Sequence, residues 1–530
     1  MRNVQRVYIY VMAYASLIGV IAGLINLVQI LLRHLFQFGF EVEDFALWAG
    51  VLVVTFPLHV GHAWWMARLV REEEERRAAL RKLYTYAILT LGTILTASSL
   101  YQLLQTVLSP ALGSKIDDLT VWELHLLEMV TVLLGGLLLL EYGIIIIRQD
   151  HDFGQEVGWA AIWRRLYIFL VGISGLYLSI RGAIGVLQMG YFALLPPVAL
   201  PGLPTFLGPW WAVPLAKHLA TLLTGLLLWR VGWFWEAQWS RASAPAAERE
   251  SLLRQAYYYV GVALGLSVFL VALAYLFRQG LLWLFGSMRG PREEWWPSLS
   301  LALSALPVGL VVWLGYRGQI LPEQHPPKEY PSLVERLYIY IASAVGLSVA
   351  WLGIVNIVRV LTRALLWETA SYSLTTEWWH KPLATGIALS VVGLPTWFWH
   401  WRQAQQWIHL PHVGLRERTS LLRRVYLYGF ALVAGLIVIV DLSRVAQQVW
   451  LWILGVESQK LWGEIVNASG PALTAFLIWV YHMQVIVTDA RVQKQPDMLS
   501  EEDVEKLQAE KEKLLQRLKE IEDKLSAMQE

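Results

Sequence analysis

The sequence predicts an all-α polytopic membrane protein. Twelve transmembrane helices form six two-helix hairpins, paired into three four-helix units with pseudo-threefold symmetry, and a C-terminal cytoplasmic coiled-coil helix follows. Three observations predict this. Of 530 residues, 56% are hydrophobic and 16% charged, against about 45–50% and about 25% in soluble domains. Twelve runs are long and apolar enough to span a bilayer. A tyrosine motif recurs six times at regular places in those runs.

A span needs about 20 apolar residues, because the hydrocarbon core is roughly 30 Å thick and a helix rises about 1.5 Å per residue. The runs fall near 7–32, 45–70, 83–108, 122–147, 164–189, 211–238, 255–285, 297–317, 335–366, 382–407, 423–453 and 466–489. The first is too long for a signal-peptide core and is expected to be retained as a span. The segments on the side of the termini hold 25 Lys and Arg, and the alternate segments hold 10. The positive-inside rule then predicts cytoplasmic termini in a plasma (inner) membrane.

The motif is a Tyr followed two residues later by an aromatic, usually after Arg or Lys. It reads Arg6-Val-Tyr8-Ile-Tyr10, Lys82-Leu-Tyr84-Thr-Tyr86, Arg165-Leu-Tyr167-Ile-Phe169, Gln255-Ala-Tyr257-Tyr-Tyr259, Arg336-Leu-Tyr338-Ile-Tyr340 and Arg424-Val-Tyr426-Leu-Tyr428. With the first Tyr as position zero, +8 is always small: Ser16, Gly92, Gly175, Gly265, Gly346 and Ala434. Small residues let helix backbones approach closely. Even copies share a Glu-Arg leader (Glu75-Arg76, Glu248-Arg249, Glu417-Arg418) and a late tyrosine (Tyr142, Tyr316, Tyr481). The larger repeat is therefore four helices, giving units at 1–155, 156–326 and 327–490. The linker is 491–499, and the tail helix is 500–530.

Position +21 is always Gln or Arg: Gln29, Gln105, Gln188, Arg278, Arg359 and Gln447. It lies about 31 Å from the tyrosine along the helix axis, at the opposite interface. Two readings are open, interfacial anchoring or a polar ring at an outer mouth. Position +18 shares the azimuth of the tyrosine and carries Asn26 and Asn356, with Arg444 in the last copy. Arg181 and Asp441 fall about two-thirds of the way across, and Glu141 lies late in the fourth run. Intramembrane charges tend to mark function, so Arg181, Asp441, Arg444, Glu141, Asn26 and Asn356 are the candidate ion or solute path. Asp441 is expected to pair with Arg444 on its own helix or with Arg181 between units. Paired tryptophans, Trp210-Trp211, Trp295-Trp296 and Trp378-Trp379, precede Pro214, Pro297 and Pro382. Trp suits an interface and Pro a helix's first turn.

No cysteine is present, which removes disulfides, zinc-thiolate sites, iron–sulfur clusters and cysteine nucleophiles. No phosphate loop, nucleophile elbow or His-Glu-x-x-His run occurs. The chain is expected to be no enzyme, with no metal, cofactor or nucleic-acid partner. His59, His62, His400 and His482 keep a membrane b-type haem protein as a distant alternative.

After Pro496, Val504, Leu507, Lys511, Leu514, Leu518, Ile521, Leu525 and Met528 follow a heptad seam. Four heptads are marginal for a lone helix, so the tail is expected to join copies into a homo-oligomer. The Arg-x-Tyr-x-Tyr hairpin starts, set in four-helix units, resemble a bacterial family known only as a domain of unknown function. The resemblance covers about 1–490 and implies no activity. The function expected is a channel or transporter for an ion or small solute. The alternative is a non-transporting scaffold or sensor that oligomerises through its coiled coil.

Overall fold

A computed structural model describes residues 2–151, 156–195, 209–239, 251–287, 292–320, 330–365, 377–410, 413–455, 461–494, 509–519 and 521. Among them every element is helical. Twelve long helices run in order: α1 (Arg2–Leu35), α2 (Val42–Leu69), α3 (Ala79–Ala111), α4 (Leu119–Asp150), α5 (Trp159–Leu194) and α6 (Ala212–Trp239), then α7 (Leu252–Leu284), α8 (Arg292–Ile320), α9 (Leu333–Leu365), α10 (His380–Trp407), α11 (Leu421–Ile453) and α12 (Leu461–Lys494). Each is long and apolar enough to cross a membrane.

The helices overrun the apolar runs by several residues, because backbone bonding continues into polar ends where caps satisfy it. Asp118 accepts from Thr120 N and Val121 N to start α4, and Ser420 accepts from Arg423 N to start α11. Pro214 and Pro382 lie in first turns, as expected. Pro297 lies a turn further in, because α8 already begins at Arg292.

The small +8 residues explain the close helix pairs. A Cβ built on Gly346 would lie 2.5 Å from Trp397 N, so α9 meets the α10 backbone directly. Gly175 faces Trp229 N and Gly265 faces Trp313 N in the same manner. Only a residue without a Cβ permits such an approach.

The chain divides into two compact units. One comprises Met1–Gln279 with Met288–Pro327, and the other Gly280–Ser287 with Lys328–Glu530. In the first unit α1 packs on α4, and α5 packs on α8. In the second, α9 packs on α12. Each four-helix repeat thus sets its first helix against its fourth. Large apolar side chains stay exposed along the helix bodies, among them Val53, Val271, Val311, Leu432 and Ile439.

The tail helix covers 509–519. On it Lys511, Leu514 and Leu518 are exposed, as is Ile521 just beyond. Val504, Leu507, Leu525 and Met528 lie outside the described residues.

Candidate functional site

The motif tyrosines build one recurring core at the basic ends of the helices. The +2 aromatic of each odd copy packs on the first tyrosine of the next even copy. The pairs are Tyr10–Tyr84, Phe169–Tyr257 and Tyr340–Tyr426, with ring centroids 5.5, 5.2 and 5.7 Å apart. The late tyrosine of the even hairpin closes the cluster. The hydroxyls of Tyr84 and Tyr142 stand 3.5 Å apart, and those of Tyr257 and Tyr316 3.1 Å apart. In the third repeat tryptophans intervene: Trp397 Nε1 donates to Tyr426 and Trp401 Nε1 to Tyr481. The aromatic spacing seen in sequence is thus the contact between two hairpins.

The Glu-Arg leaders supply the ionic half of this core. Glu75 is buried, pairs with Arg6 at 2.6 Å, and accepts a hydrogen bond from Tyr10 at 3.0 Å. Glu417 is fully buried, pairs with Arg336 at 2.8 Å, and accepts from Tyr340 at 2.7 Å. In both repeats the acid of an even leader thus holds the Arg and the second tyrosine of the preceding odd motif. A second acid stands eight residues after the late tyrosine. Asp150 pairs with Arg81 at 2.7 Å and Lys82 at 2.8 Å. Asp489 pairs with Arg423 at 2.6 Å and Arg418 at 2.7 Å. Glu156 carries the chemistry into the second repeat, taking Arg164 at 2.5 Å and Tyr86 at 3.2 Å. The leader Glu248-Arg249 lies outside the described residues.

Such buried pairs recover little beyond their desolvation cost, yet removing one partner costs about 3–5 kcal/mol. The Glu75 and Glu417 pairs join successive hairpins, whereas those of Asp150 and Asp489 tie the two helices of one hairpin. Tyr330, just before α9, also donates to Glu417 at 2.9 Å. Burial, then the Glu417 carboxylate, pushes its phenol up to about 12.

The candidate path residues occupy different settings. Asn26 and Asn356 each donate to the carbonyl four residues back, Ala22 O and Leu352 O. Glu141 is exposed and 3.7 Å from Arg148. Asp441 lies 3.7 Å from Arg444 on α11, so the same-helix pair forms. Arg181 is exposed on α5. Of the +21 set, the three odd copies share one task. Gln29 donates to Glu128 O at 3.2 Å, Gln188 to Pro297 O at 2.9 Å, and Arg359 to Asn467 O at 3.2 Å. Each links the first helix of a repeat to its fourth. Gln105 and Arg278 are half-buried, and Gln447 is exposed.

The histidines are bound locally. Nδ1 of His62, His400 and His482 lies within hydrogen-bond reach of the carbonyl four residues back, and His59 Nδ1 of Ala13 O. Tyr8 packs on His62 and Tyr338 on His400, with centroids 5.7 and 5.5 Å apart. Among the described residues no group of three or more metal-ligating side chains gathers.

Sequence reasoning missed the carboxylates Asp150, Glu156 and Asp489, which lie at or beyond the ends of apolar runs. Their regular offset from the late tyrosines was the available signal for two of them. It also missed a partly open cavity of about 920 Å3 walled by α3, α4, α5 and α6.

Among the described residues, fold and site together define an all-helical protein of twelve long apolar helices with a thrice-repeated unit, whose first and third copies are locked by buried Tyr–Glu–Arg clusters. The chain belongs to the family described as a domain of unknown function (DUF5671), whose model matches residues 6–139, 165–294 and 336–481. No curated protein and no solved structure matches it.

Proposed function

We propose that the chain is a multi-pass integral membrane protein with cytoplasmic termini, serving as a non-transporting scaffold that self-associates through its C-terminal helix. The many large apolar side chains exposed along the helix bodies support insertion, since water-soluble surfaces rarely carry extended apolar patches. The observation that carries the scaffold reading is the engagement of Gln29, Gln188 and Arg359 on backbone carbonyls inside their own repeats. Three of the six side chains expected at a mouth already hold helices together. The exposed seam of Leu514, Leu518 and Ile521 supports the self-association.

A channel or transporter is the second reading. It is favoured by Arg181 and Arg444, exposed on helix bodies, since a central arginine in a bilayer costs about 2.5–3.5 kcal/mol and needs water or protein beside it. Reconstitution decides between them. A scaffold gives liposomes whose ion leak equals that of empty vesicles, and crosslinks as an oligomer only with its tail intact. Ion flux that falls on Arg181→Leu or Arg444→Leu substitution favours the second.

A further inference from the structure

At the end of the first repeat away from its tyrosine core, α1, the loop into α2 and the start of α4 enclose a partly open cavity of about 390 Å3. That volume falls within the roughly 300–1,000 Å3 usual for small-molecule sites. Its walls have local causes. Phe38 N donates to Arg33 O and Gln37 takes a left-handed φ of 65°, so α1 closes and its loop brings Phe38 to the cavity. Asp118 caps α4, and Leu124, His125 and Glu128 then share one face of that helix.

Glu128 sets this cavity apart. It is 9% exposed and lies beyond the first turn of α4, where the helix dipole no longer favours an acid. Arg33 Nε donates to its Oε1 at 2.6 Å. Among the described residues nothing donates to Oε2, and that atom keeps accessible surface. A carboxylate inside an apolar span is costly and tends to mark function. The repeats show that the architecture does not require it. Fourteen residues before the late tyrosine stand Glu128, Ala302 and Asn467, so only the first repeat has the acid. Glu41 and Asp44, both exposed, add two carboxylates from the start of α2. With histidine counted as neutral, three carboxylates face the one guanidinium of Arg33, an excess of two negative charges. Among the described residues no three metal-ligating side chains gather at one point. A single metal ion therefore does not meet all three acids, whereas a chain with a cation at each end does. Ile30, Phe38 and Leu124 supply the apolar lining for its middle.

We propose that this cavity binds a short alkyl diammonium compound, one ammonium donating to Glu128 Oε2, the other held by Asp44 and Glu41, and the methylenes lying against Ile30, Phe38 and Leu124. The site is confined to one compact unit and does not depend on self-association through the tail.

The test uses the full chain in nanodiscs of phosphatidylcholine, titrated with radiolabelled 1,4-diaminobutane against empty nanodiscs. The expected result is saturable, single-site binding that weakens about tenfold in Glu128→Gln, as for a lost charge-assisted contact. Butylamine, with one cation, binds about tenfold more weakly than the diamine. Asp44→Asn, on the exposed rim, weakens binding about threefold. Thermal midpoints of both variants are compared with the parent; if Glu128→Gln fails to fold, Asp44→Asn and butylamine decide. Non-saturable uptake, equal affinity of butylamine and the diamine, or equal affinity in a folded Glu128→Gln overturns the proposal. So does loss of diamine binding when phosphatidylethanolamine is added to the nanodisc, which would assign the cavity to a lipid headgroup. Displacement of the diamine by equimolar calcium would overturn it in favour of a metal site.

Discussion

The hydroxyl of Tyr340 donates to the carboxylate of Glu417 at 2.7 Å, across 77 residues of chain. Tyr10 makes the same bond to Glu75 at 3.0 Å. Both tyrosines occupy the second aromatic position of an odd motif, and both acids belong to the leader of the following even motif. The relationship joins two hairpins into one four-helix unit, and it accounts for residues that sequence reading placed at an interface.

Glu417→Gln is therefore expected to destabilise the protein by about 3 kcal/mol, because Arg336 keeps its burial and loses its counter-charge. Adding Arg336→Gln should recover part of the loss. Denaturant unfolding of the solubilised protein measures both, and equal stability of the parent and Glu417→Gln would remove the ion pair from the account.

Tyr330 provides a pH handle. Its folded-state phenol titrates at about 12, above an ordinary tyrosine value of about 10. The raised value means that its contribution is complete below the unfolded value and is lost as pH climbs through the folded one. The difference in phenolate absorbance between the parent and Tyr330→Phe should thus show one phenol ionising late. A step near the ordinary value would refute the Glu417 contact.

Two glycines should respond oppositely. Gly346→Ala forces a Cβ against Trp397 N, with an expected cost of about 1–3 kcal/mol. Gly429→Ala, on α11 with nothing within 4 Å, should gain about 0.5–1 kcal/mol. Thermal unfolding of the pair provides the comparison.

Gln188→Leu removes the bond to Pro297 O and should cost about 1 kcal/mol without changing liposome leak. A change in leak at constant stability would place Gln188 on a conducting path.

Leu514→Asp with Leu518→Asp puts charge on the exposed tail seam. Multi-angle scattering of the solubilised protein should register a drop in mass to one chain. An unchanged mass would locate self-association elsewhere.

The helices were legible because their cause is local. Apolar runs of span length, the six tyrosine motifs and the small +8 residues each state their own structure. Their partners were not legible. Gln29, Gln188 and Arg359 find carbonyls of the fourth helix, roughly a hundred residues on, and no local pattern encodes that meeting. Asp441 was assigned two possible partners, and proximity on one helix gives it Arg444.

By itself, then, the sequence determined an all-helical chain with three tandem four-helix repeats, since hydrophobic period and motif spacing are properties of neighbouring residues. Tertiary packing alone decided that Glu75 and Glu417 gather arginine and tyrosine from the preceding hairpin. Burial and hydrogen-bond partnership depend on which helices meet, and that is settled by side chains far apart in the chain finding one another at a common depth.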